Sequence, residues 1–493
     1  TITDAPSEKL YYLFFRFMLR KRAVLRYSRQ VFSTGIRMKP FGRKRYIAEH
    51  ANSWELLFGR ILTPFEKIVN SSIGSGMLLI VLTVIAMLLA NSPLYGLYDK
   101  LLHQHLVIAI GDMRIDMTLH HWINDALMCI FFYLVGLEIK REMLVGELSS
   151  FRQAILPIMA AMGGMIVPAL VYFSFVLGGP NASGWGIPMA TDIAFAIPIL
   201  LLLGDRVPAG LMTILMALAI VDDLGAVAVI ALFYTEAINY TALISAFICF
   251  AVLMVFNRAG VRAIWAYLVV ATAMWLCMLF SGVHATIAGV LGALATPVHS
   301  LYRPAEFSRE ARKLLDRFDI YRENEKSFMV SDRLNAVLYT LESGINRAQT
   351  PLQRLEHTLH KPVYFLVIPL FVLFNAGVHL DFGTLHLLPQ SSVVQGVVLG
   401  LSVGKLIGIF AAVWLCVKLN LAVLPKGVNF GHIIGVGLLA GIGFTMSIFI
   451  SELAFKNDPL HLSEAKIAIL FASICAGVLG YCWLRFFTSK ETH

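Results

Sequence analysis

The stretch GLMTILMALAIVDDLGAVAVIALF, residues 210–233, decides the fold, because two adjacent aspartates, Asp222 and Asp223, lie in its otherwise uncharged middle. A run of about 20 apolar residues is long enough to cross a bilayer as a helix. A charged side chain at the centre of such a helix costs about 2.5–3.5 kcal/mol on insertion scales. Two carboxylates placed there predict a function, which is to hold a cation, a proton or each in turn inside a wet cavity.

The composition indicates a polytopic membrane protein. The chain has 493 residues, of which 58% are hydrophobic and only 14% are charged, whereas soluble domains carry about a quarter charged residues. No cleavable secretory signal is evident, since the first strong apolar run begins near Ile73 and is long enough to span. The formal net charge is +9, and thirteen Lys and Arg residues lie between Lys9 and Arg60. We interpret residues 1–60 as a basic cytoplasmic arm on anionic lipid; nucleic-acid binding and an organelle transit peptide are the alternatives.

Twelve apolar windows are long enough to be membrane spans. They lie near residues 73–91, 119–138, 154–178, 185–203, 208–233, 239–256, 263–280, 283–298, 361–379, 392–417, 429–450 and 465–487. An even number of spans places both termini on one side, and basic residues mark that side as cytoplasmic. The residues concerned are the arm, Lys140, Arg141, Arg152, Arg206, Arg258, Arg262, Lys418, Lys426 and Arg485.

Two segments interrupt the membrane domain, which comprises residues 61–298 and 361–487. Residues 103–118, HQHLVIAIGDMRIDMT, alternate in polarity around Gly111 and predict an external β-hairpin. It is either a dimer contact or a surface flap. Residues 299–360 form a charged cytoplasmic insert with helical stretches, either a solvated linker or a regulatory subdomain. Residues 488–493 form a short tail.

Two spans carry residues that break helices. In the fourth, Pro188 and Pro198 flank Thr191 and Asp192, and the eleventh contains glycine at positions 435, 437, 441 and 443. Proline removes a helical hydrogen bond, and irregular backbone at membrane depth is tolerated only where it lines a cavity or is buried in protein. A kinked span, or glycines that permit close packing, would be the simpler reading. However, each break lies in the central span of a three-span group, 154–233 or 392–487, and the groups enter from opposite sides. This pattern predicts an inverted repeat with the substrate site where the broken helices cross.

The tenth span supplies a counter-charge. Lys405 lies at mid-depth in GVVLGLSVGKLIGIFAAVWLCV, too far from either end to reach water comfortably, and therefore needs a carboxylate. Adjacent helical residues point about 100° apart. One of Asp222 and Asp223 can therefore face Lys405 while the other faces a water-filled funnel, and the spacing alone does not say which.

Six motifs together resemble the NhaA family of bacterial sodium/proton antiporters. They are ATDIAFAIP, ALAIVDDLGA, SGVHATIAGV, LFNAGV, the VGK of span ten and GIGFTMSIFI, and the similarity runs from about Ile73 to Arg485. The family is itself a named example of the inverted-repeat principle, so the two arguments are not independent. The resemblance implies an all-α inner-membrane protein of about 12 transmembrane helices that exchanges cytoplasmic Na⁺ or Li⁺ for external protons, electrogenically, under pH control and without a cofactor.

The resemblance also assigns residues. It implies that Asp223 is the principal Na⁺/Li⁺ ligand and that Asp222 is the partner of Lys405, which would act as a proton carrier. Asp192 and Thr191 would lie at the crossing of the broken helices and would bind the cation or proton together with Asp222 and Asp223, and residues 105–118 would form the homodimer contact. A pH-response role falls on the residues Glu138, Arg141, Glu142 and His284. The first three are equally explained as an interfacial anchor, and the histidine as a hydrogen-bonded packing residue.

The chain departs from the family pattern on the cytoplasmic face. The arm is longer than usual, and the insert replaces a short link between the eighth and ninth spans. We therefore hypothesise that the insert or the arm gates the funnel. A passive cation channel and a transport-dead ion or pH sensor are alternative functions for the same fold. An intramembrane aspartyl protease is less consistent, because such enzymes place their aspartates on different helices, one within a GxGD motif that this chain lacks.

Overall fold

The computed structural model describes residues 72–487, apart from 112, 178, 236–237, 301–303, 325–331 and 380–384. This part of the chain is mostly helical and contains one small sheet. Among the described residues, eight helices are long and apolar enough to cross a membrane, or up to ten if each of two bent pairs counts as one span. The protein is therefore a multi-pass membrane protein. The predicted basic arm, residues 1–60, lies outside the described residues.

The elements follow one another in a single series. The first half contains α1 (Ser72–Ala90), α2 (Tyr95–Leu102), β1 (His105–Ile110), β2 (Met113–Thr118), α3 (Leu119–Leu144), α4 (Phe151–Val176), a 3₁₀ segment (Pro180–Met189), α5 (Ile193–Leu201), α6 (Ala209–Phe233), α7 (Tyr240–Arg258), α8 (Ile264–Leu279) and α9 (Ile287–Ala295). The second half contains α10 (Pro304–Asn324), α11 (Asp332–Ala348), α12 (Pro351–Asn375), α13 (Ser392–Lys418), α14 (Phe430–Ala440), α15 (Phe444–Ala454) and α16 (Pro459–Phe486).

The hairpin predicted at residues 103–118 is present as the antiparallel pair β1–β2. Val107 lies opposite Asp116, and Gly111 at the turn has a φ of 60°, a conformation that glycine adopts without strain. Asp116 accepts hydrogen bonds from His105 (2.6 Å) and Arg114 (3.0 Å). The bond from His105 is the main reason that the pKa of Asp116 lies below its ordinary value. The described side chains of β1 are exposed, and those of β2 alternate between exposed and partly buried, so the hairpin presents β1 as a free surface on this chain.

Both predicted helix breaks are present. In the fourth span, extended backbone at 190–192 separates the 3₁₀ segment from α5. In the eleventh, residues 441–443 separate α14 from α15, and the two helix axes differ by 46°. Pro188 and Pro198 border the first break, and Gly441 and Gly443 lie within the second. The breaks therefore occur where the sequence weakens helical hydrogen bonding.

The seventh to ninth windows do not each form one long helix with the predicted bounds. The seventh, 263–280, matches α8 within one residue at each end, but that helix has only 16 residues. The eighth, 283–298, forms a helix of only nine residues, α9, because residues 283–286 are not helical and Pro297 follows the helix. Both fall short of the length needed to span. The ninth span was predicted at 361–379, but its helix begins at Pro351. Thr350 and Gln353 form a capping box there, which satisfies the first free N–H groups of α12.

The remainder of the insert forms two helices, α10 and α11, which pack against each other. Phe307 and Leu341 lie in the groove between them. The main core of the membrane domain lies around the two breaks, with α4, α6, α12, α13, α14, α15 and α16 contributing most of its buried side chains. The fold thus buries its irregular backbone at the centre.

Candidate functional site

The two broken helices cross and bond to each other through their irregular backbone. The N–H of Asp192 donates to the carbonyl of Ile442 at 2.6 Å, and the Thr191 hydroxyl lies 2.9 Å from the carbonyl of Ala440. Ser447 donates to the carbonyl of Ile187 at 2.7 Å. Buried backbone groups need such partners. The crossing is therefore a single hydrogen-bonded unit at the centre of the protein.

Asp192 holds the two half-helices together. One carboxylate oxygen accepts from the N–H of Ala194 (2.9 Å), and the other accepts from the N–H (2.9 Å) and the hydroxyl of Thr445. These N–H groups belong to the first turns of α5 and α15, where helix dipoles favour a negative charge. Both oxygens of Asp192 are thus engaged in capping, so the geometry gives this residue a positioning role at the crossing.

Asp222 and Lys405 form an ion pair, and neither side chain is exposed. The ammonium of Lys405 also donates to the Thr191 hydroxyl (2.9 Å), which in turn lies 2.6 Å from Asp222 Oδ2. Lys405 can lie this deep because α4 and α13 pack backbone to backbone. A Cβ atom at Gly408 would lie 2.1 Å from the carbonyl oxygen of Gly163. A buried charge pair with further hydrogen bonds is stable as a pair and costly to separate.

Asp223 has a different environment from Asp222. Its side chain is 2% exposed, and within the described part of the chain its Oδ1 atom has no hydrogen-bond partner. It lines a cavity of about 20 Å³, together with Thr191, Asp192 and Glu138. That volume has room for about one water-sized species. A buried carboxylate that faces such a space can hold a proton or a small, largely dehydrated cation, because an unpaired buried charge is costly.

A funnel of about 540 Å³ adjoins this cavity. Glu138, Ile193, Ala194 and Tyr364 line both spaces and therefore lie at the junction between the funnel and the cavity beside Asp223. Arg141 and Lys361 also line the funnel, and the ring of His360 stacks on that of Tyr364 with centroids 4.5 Å apart. The funnel therefore opens at the end of the helices that carries these basic residues.

The four predicted pH-response residues divide into two places. Glu138 and Arg141 line the funnel, and Arg141 forms ion pairs with Glu142 (3.2 Å) and Glu356 (3.3 Å). His284 is not among the residues that line it; its Nε2 atom forms a hydrogen bond of 2.7 Å with the carbonyl oxygen of Tyr234.

Sequence reasoning missed Glu356 and His360, which reach the funnel from the first turns of α12. The signal that could have found them is the capping box of Thr350 and Gln353. It begins a helix ten residues before the apolar window.

The model of the family described as "Na+/H+ antiporter 1" matches residues 66–484 of this chain. A protein named "Na(+)/H(+) antiporter NhaA" from Dichelobacter nodosus is 56% identical over 451 residues, which cover 92% of this chain and 97% of that protein. A protein of the same name from Sulfurimonas denitrificans is 49% identical, covering 88% and 97%. "Na(+)/H(+) antiporter NhaA 1" from Saccharophagus degradans is 48% identical, covering 90% and 96%.

Proposed function

The chain belongs to the Na+/H+ antiporter 1 family, and we propose that it exchanges sodium for protons at Asp223. The observation that supports this assignment is the Oδ1 atom of Asp223, which is buried without a hydrogen bond beside a cavity of about 20 Å³ at the end of the funnel. A proton or a sodium ion satisfies the carboxylate, but both cannot bind at once. Competition at this one binding site therefore couples the sodium flux to the proton flux, since binding of one ion expels the other.

In this mechanism the ion pair of Asp222 and Lys405 accounts for the second proton. Sodium attracted to Asp222 has to compete with the ammonium of Lys405, which already pairs with that carboxylate. If sodium separates the pair, Lys405 is left buried without its counter-charge and releases a proton. Two protons would then move for each sodium ion, which makes exchange electrogenic. Li⁺, which is also a small monovalent cation, is a second ion that we propose for the site at Asp223.

We also propose how the membrane spans are arranged and oriented. Among twelve spans, two inverted three-helix groups, 154–233 and 392–487, would place their broken members opposite each other. The hydrogen bond from the N–H of Asp192 to the carbonyl of Ile442 supports that arrangement. Both termini and the funnel would face the cytoplasm of a bacterial inner membrane, and the hairpin would face outward, since the basic residues collect at the funnel end.

The experiment is sodium-induced proton flux in proteoliposomes, measured from mildly acidic to alkaline pH. When the lumen of the liposomes is acidic and sodium is added outside, an antiporter collapses the imposed pH gradient, because sodium enters as protons leave. A passive cation channel moves sodium down its gradient without obligatory proton release, and a transport-dead sensor or an aspartyl protease gives no ion flux. Absence of sodium-dependent proton movement across the whole pH range would refute the proposal.

We further propose that the hairpin makes the contact of a homodimer. Deleting residues 105–118 should convert a dimer into a monomer, as measured by light scattering in mild detergent. The deletion is sterically simple, because the N–H of Leu119 already bonds to the carbonyl of Gln104 at 2.8 Å, and one or two glycines would close the gap. Wild-type protein that is monomeric, or a deletion variant that stays dimeric, would contradict this proposal.

Regulation by pH is proposed for the funnel-lining residues Glu138, Arg141 and Glu356 and for Glu142, which pairs with Arg141. Glu356 belongs to the insert at residues 299–360, and we propose that the insert tunes the funnel. Deleting 303–349, which leaves Thr350 as the cap of α12, should shift the pH of half-maximal activity by about one unit, the effect of a charge interaction of ~1.4 kcal/mol. The control is Glu310→Gln, which removes only the exposed ion pair of Glu310 with Lys313. A deletion variant with the pH–activity curve of the wild type would exclude this role for the insert.

A further inference from the structure

A long apolar groove lies on the side of the membrane domain, between α1, α5 and α16. We call it the side groove; its volume is about 480 Å³, which is within the range of ligand pockets in proteins. Ile80 and Val84 on α1 are each 53% exposed, and Ile474 on α16 is 67% exposed. In a chain that spans a membrane, apolar side chains exposed between the helix ends face lipid tails. The side groove is therefore open to the hydrocarbon core of the bilayer.

The side groove offers few hydrogen-bonding groups to a ligand. The polar residues among those that line it are Thr83, Ser473 and Tyr481. The Thr83 hydroxyl donates to the carbonyl of Leu79 at 2.7 Å, and the Ser473 hydroxyl accepts from the N–H of Phe444 at 3.2 Å. Because these two hydroxyls are already bonded, a ligand is held along most of the groove by apolar contact, as an alkyl chain is.

Two arginines lie at one end of the side groove. On α16, Gly477 and Tyr481 line the groove one helical turn apart, and Arg485 continues the same face one turn further on. On the other wall, Leu202 lines the groove and Arg206 follows it by one turn of chain. Arg206 Nη1 donates to the carbonyl of Arg485 at 2.6 Å. The two arginines therefore meet at this end.

The length of the side groove matches one leaflet of a bilayer. From Leu470 to Tyr481, the first and last residues of α16 that line it, a helix rises about 16 Å at 1.5 Å per residue, and half of the hydrocarbon core is ~15 Å thick. The arginine end is also the funnel end, because Leu201 lines the funnel. The other end lies at the depth of the break in the eleventh span, where Ser473 bonds to α15. The groove thus runs from a membrane surface to the middle of the bilayer.

The half-helix α5 separates the side groove from the funnel. Phe195, Ile199 and Leu202 line the groove, whereas Ile197 lines the funnel, so the two spaces lie on different faces of α5. The ring of Phe195 packs against that of Phe444 on α15, with centroids 4.7 Å apart, and both residues line the groove. An occupant of the groove therefore contacts both half-helices beside their crossing.

Charge favours a lipid over a second copy of the chain as the occupant. Two copies that met at this groove across a two-fold axis along the membrane normal would bring their arginines to the same end, where like charges repel. The phosphate of an anionic lipid instead complements Arg206 and Arg485, since guanidinium groups bind phosphate oxygens in pairs. A guanidinium carries several N–H donors, so Arg206 can bind a phosphate while it also bonds to the carbonyl of Arg485.

We propose that the side groove binds one anionic phospholipid per protomer, with an acyl chain along α16 and the phosphate on Arg206 and Arg485. The acyl chain fills the space between α5 and α16 and contacts Ile442 and Phe444 at the break. It therefore stabilises the arrangement of the two half-helices from the lipid side. Binding of this lipid does not depend on the antiport activity.

The test counts bound lipids by native mass spectrometry of the full chain in detergent, after addition of phosphatidylglycerol or phosphatidylcholine with identical acyl chains. Wild-type protein should retain more phosphatidylglycerol than phosphatidylcholine, and phosphatidylglycerol should raise its melting temperature more. Val84→Trp fills the groove, and Arg485→Gln removes a guanidinium at its end. Each variant should retain one phosphatidylglycerol fewer per protomer than the wild type and show a smaller rise in melting temperature.

The matched control for Val84→Trp is Val81→Trp, because Val81 lies on the same helix with the same exposed fraction, 53%, but is not among the residues that line the groove. The control for Arg485→Gln is Arg152→Gln, which changes an exposed arginine at the start of α4. Both controls should keep the wild-type lipid count. Equal retention of the two lipids by the wild type, or a wild-type count in both groove variants, would overturn the lipid site. A Val84→Trp variant that became monomeric with an unchanged lipid count would assign the groove to a contact between copies instead.

Discussion

An Asp223→Asn variant is expected to lose sodium-dependent proton release down to the level of empty liposomes. The asparagine side chain has the size and shape of aspartate, but it neither takes up a proton in this pH range nor carries the charge that a sodium ion needs. The variant should remain folded with a melting temperature at or above that of the wild type, because the substitution removes a buried charged oxygen that has no hydrogen bond in the described structure.

The measurement is sodium-induced collapse of a pH gradient, together with sodium binding by calorimetry. The control is Asp99→Asn, which changes an exposed aspartate in the short helix α2 near His103 and should transport as the wild type does. If the Asp223→Asn variant bound sodium with undiminished affinity, the sodium-binding site would lie elsewhere. Asp192 would then be the next candidate, although both of its oxygens already cap half-helices.

Hydropathy and helix-breaking residues predicted most of the architecture, because both act locally. Apolar windows located the long spans, and the prolines and glycines of the fourth and eleventh spans located both breaks. The failures were also local. The eighth window, 283–298, yields only the nine-residue α9, because its first four residues follow a turn at which Gly282 has a φ of 80° and are not helical, and hydropathy does not register such backbone. The early start of α12 was missed because its first turns are polar, although Thr350 and Gln353 signal it.

The adjacent positions of Asp222 and Asp223 in the sequence could not predict which of them pairs with Lys405. Neighbouring residues differ by about 100° around a helix, and which of them meets Lys405 depends on how α6 is rotated against α13. That rotation is set by packing with a third helix, α4, which contacts α13 where Gly163 meets Gly408 and contacts α6 where Gly225 faces Met165. The contact of His120 with Glu452 could not be predicted for the same reason, since the two residues are distant in the chain.

Of the substitutions discussed, Lys405→Met is expected to lower the free energy of unfolding most, by about 3–5 kcal/mol. The substitution keeps the apolar stem of the side chain but removes the ammonium, which leaves the Asp222 carboxylate buried beside a single hydroxyl, that of Thr191. Thermal unfolding in detergent should show the loss as a lower melting temperature. The control is Lys418→Met on the same helix, whose exposed ammonium lies 4.5 Å from the centre of the Trp414 ring; it should change stability little.

The Asp222→Asn/Lys405→Met double variant separates the structural and the transport roles of the pair. Removing both charges leaves no unpaired buried ion, so most of the lost stability should return. If Lys405 carries the second proton, the exchange that remains through Asp223 should move one proton per sodium ion and become insensitive to membrane potential. A stable double variant that still responds to voltage would show that the second proton binds elsewhere. A double variant as unstable as Lys405→Met would show that Lys405 stabilises the fold by packing rather than by pairing with Asp222.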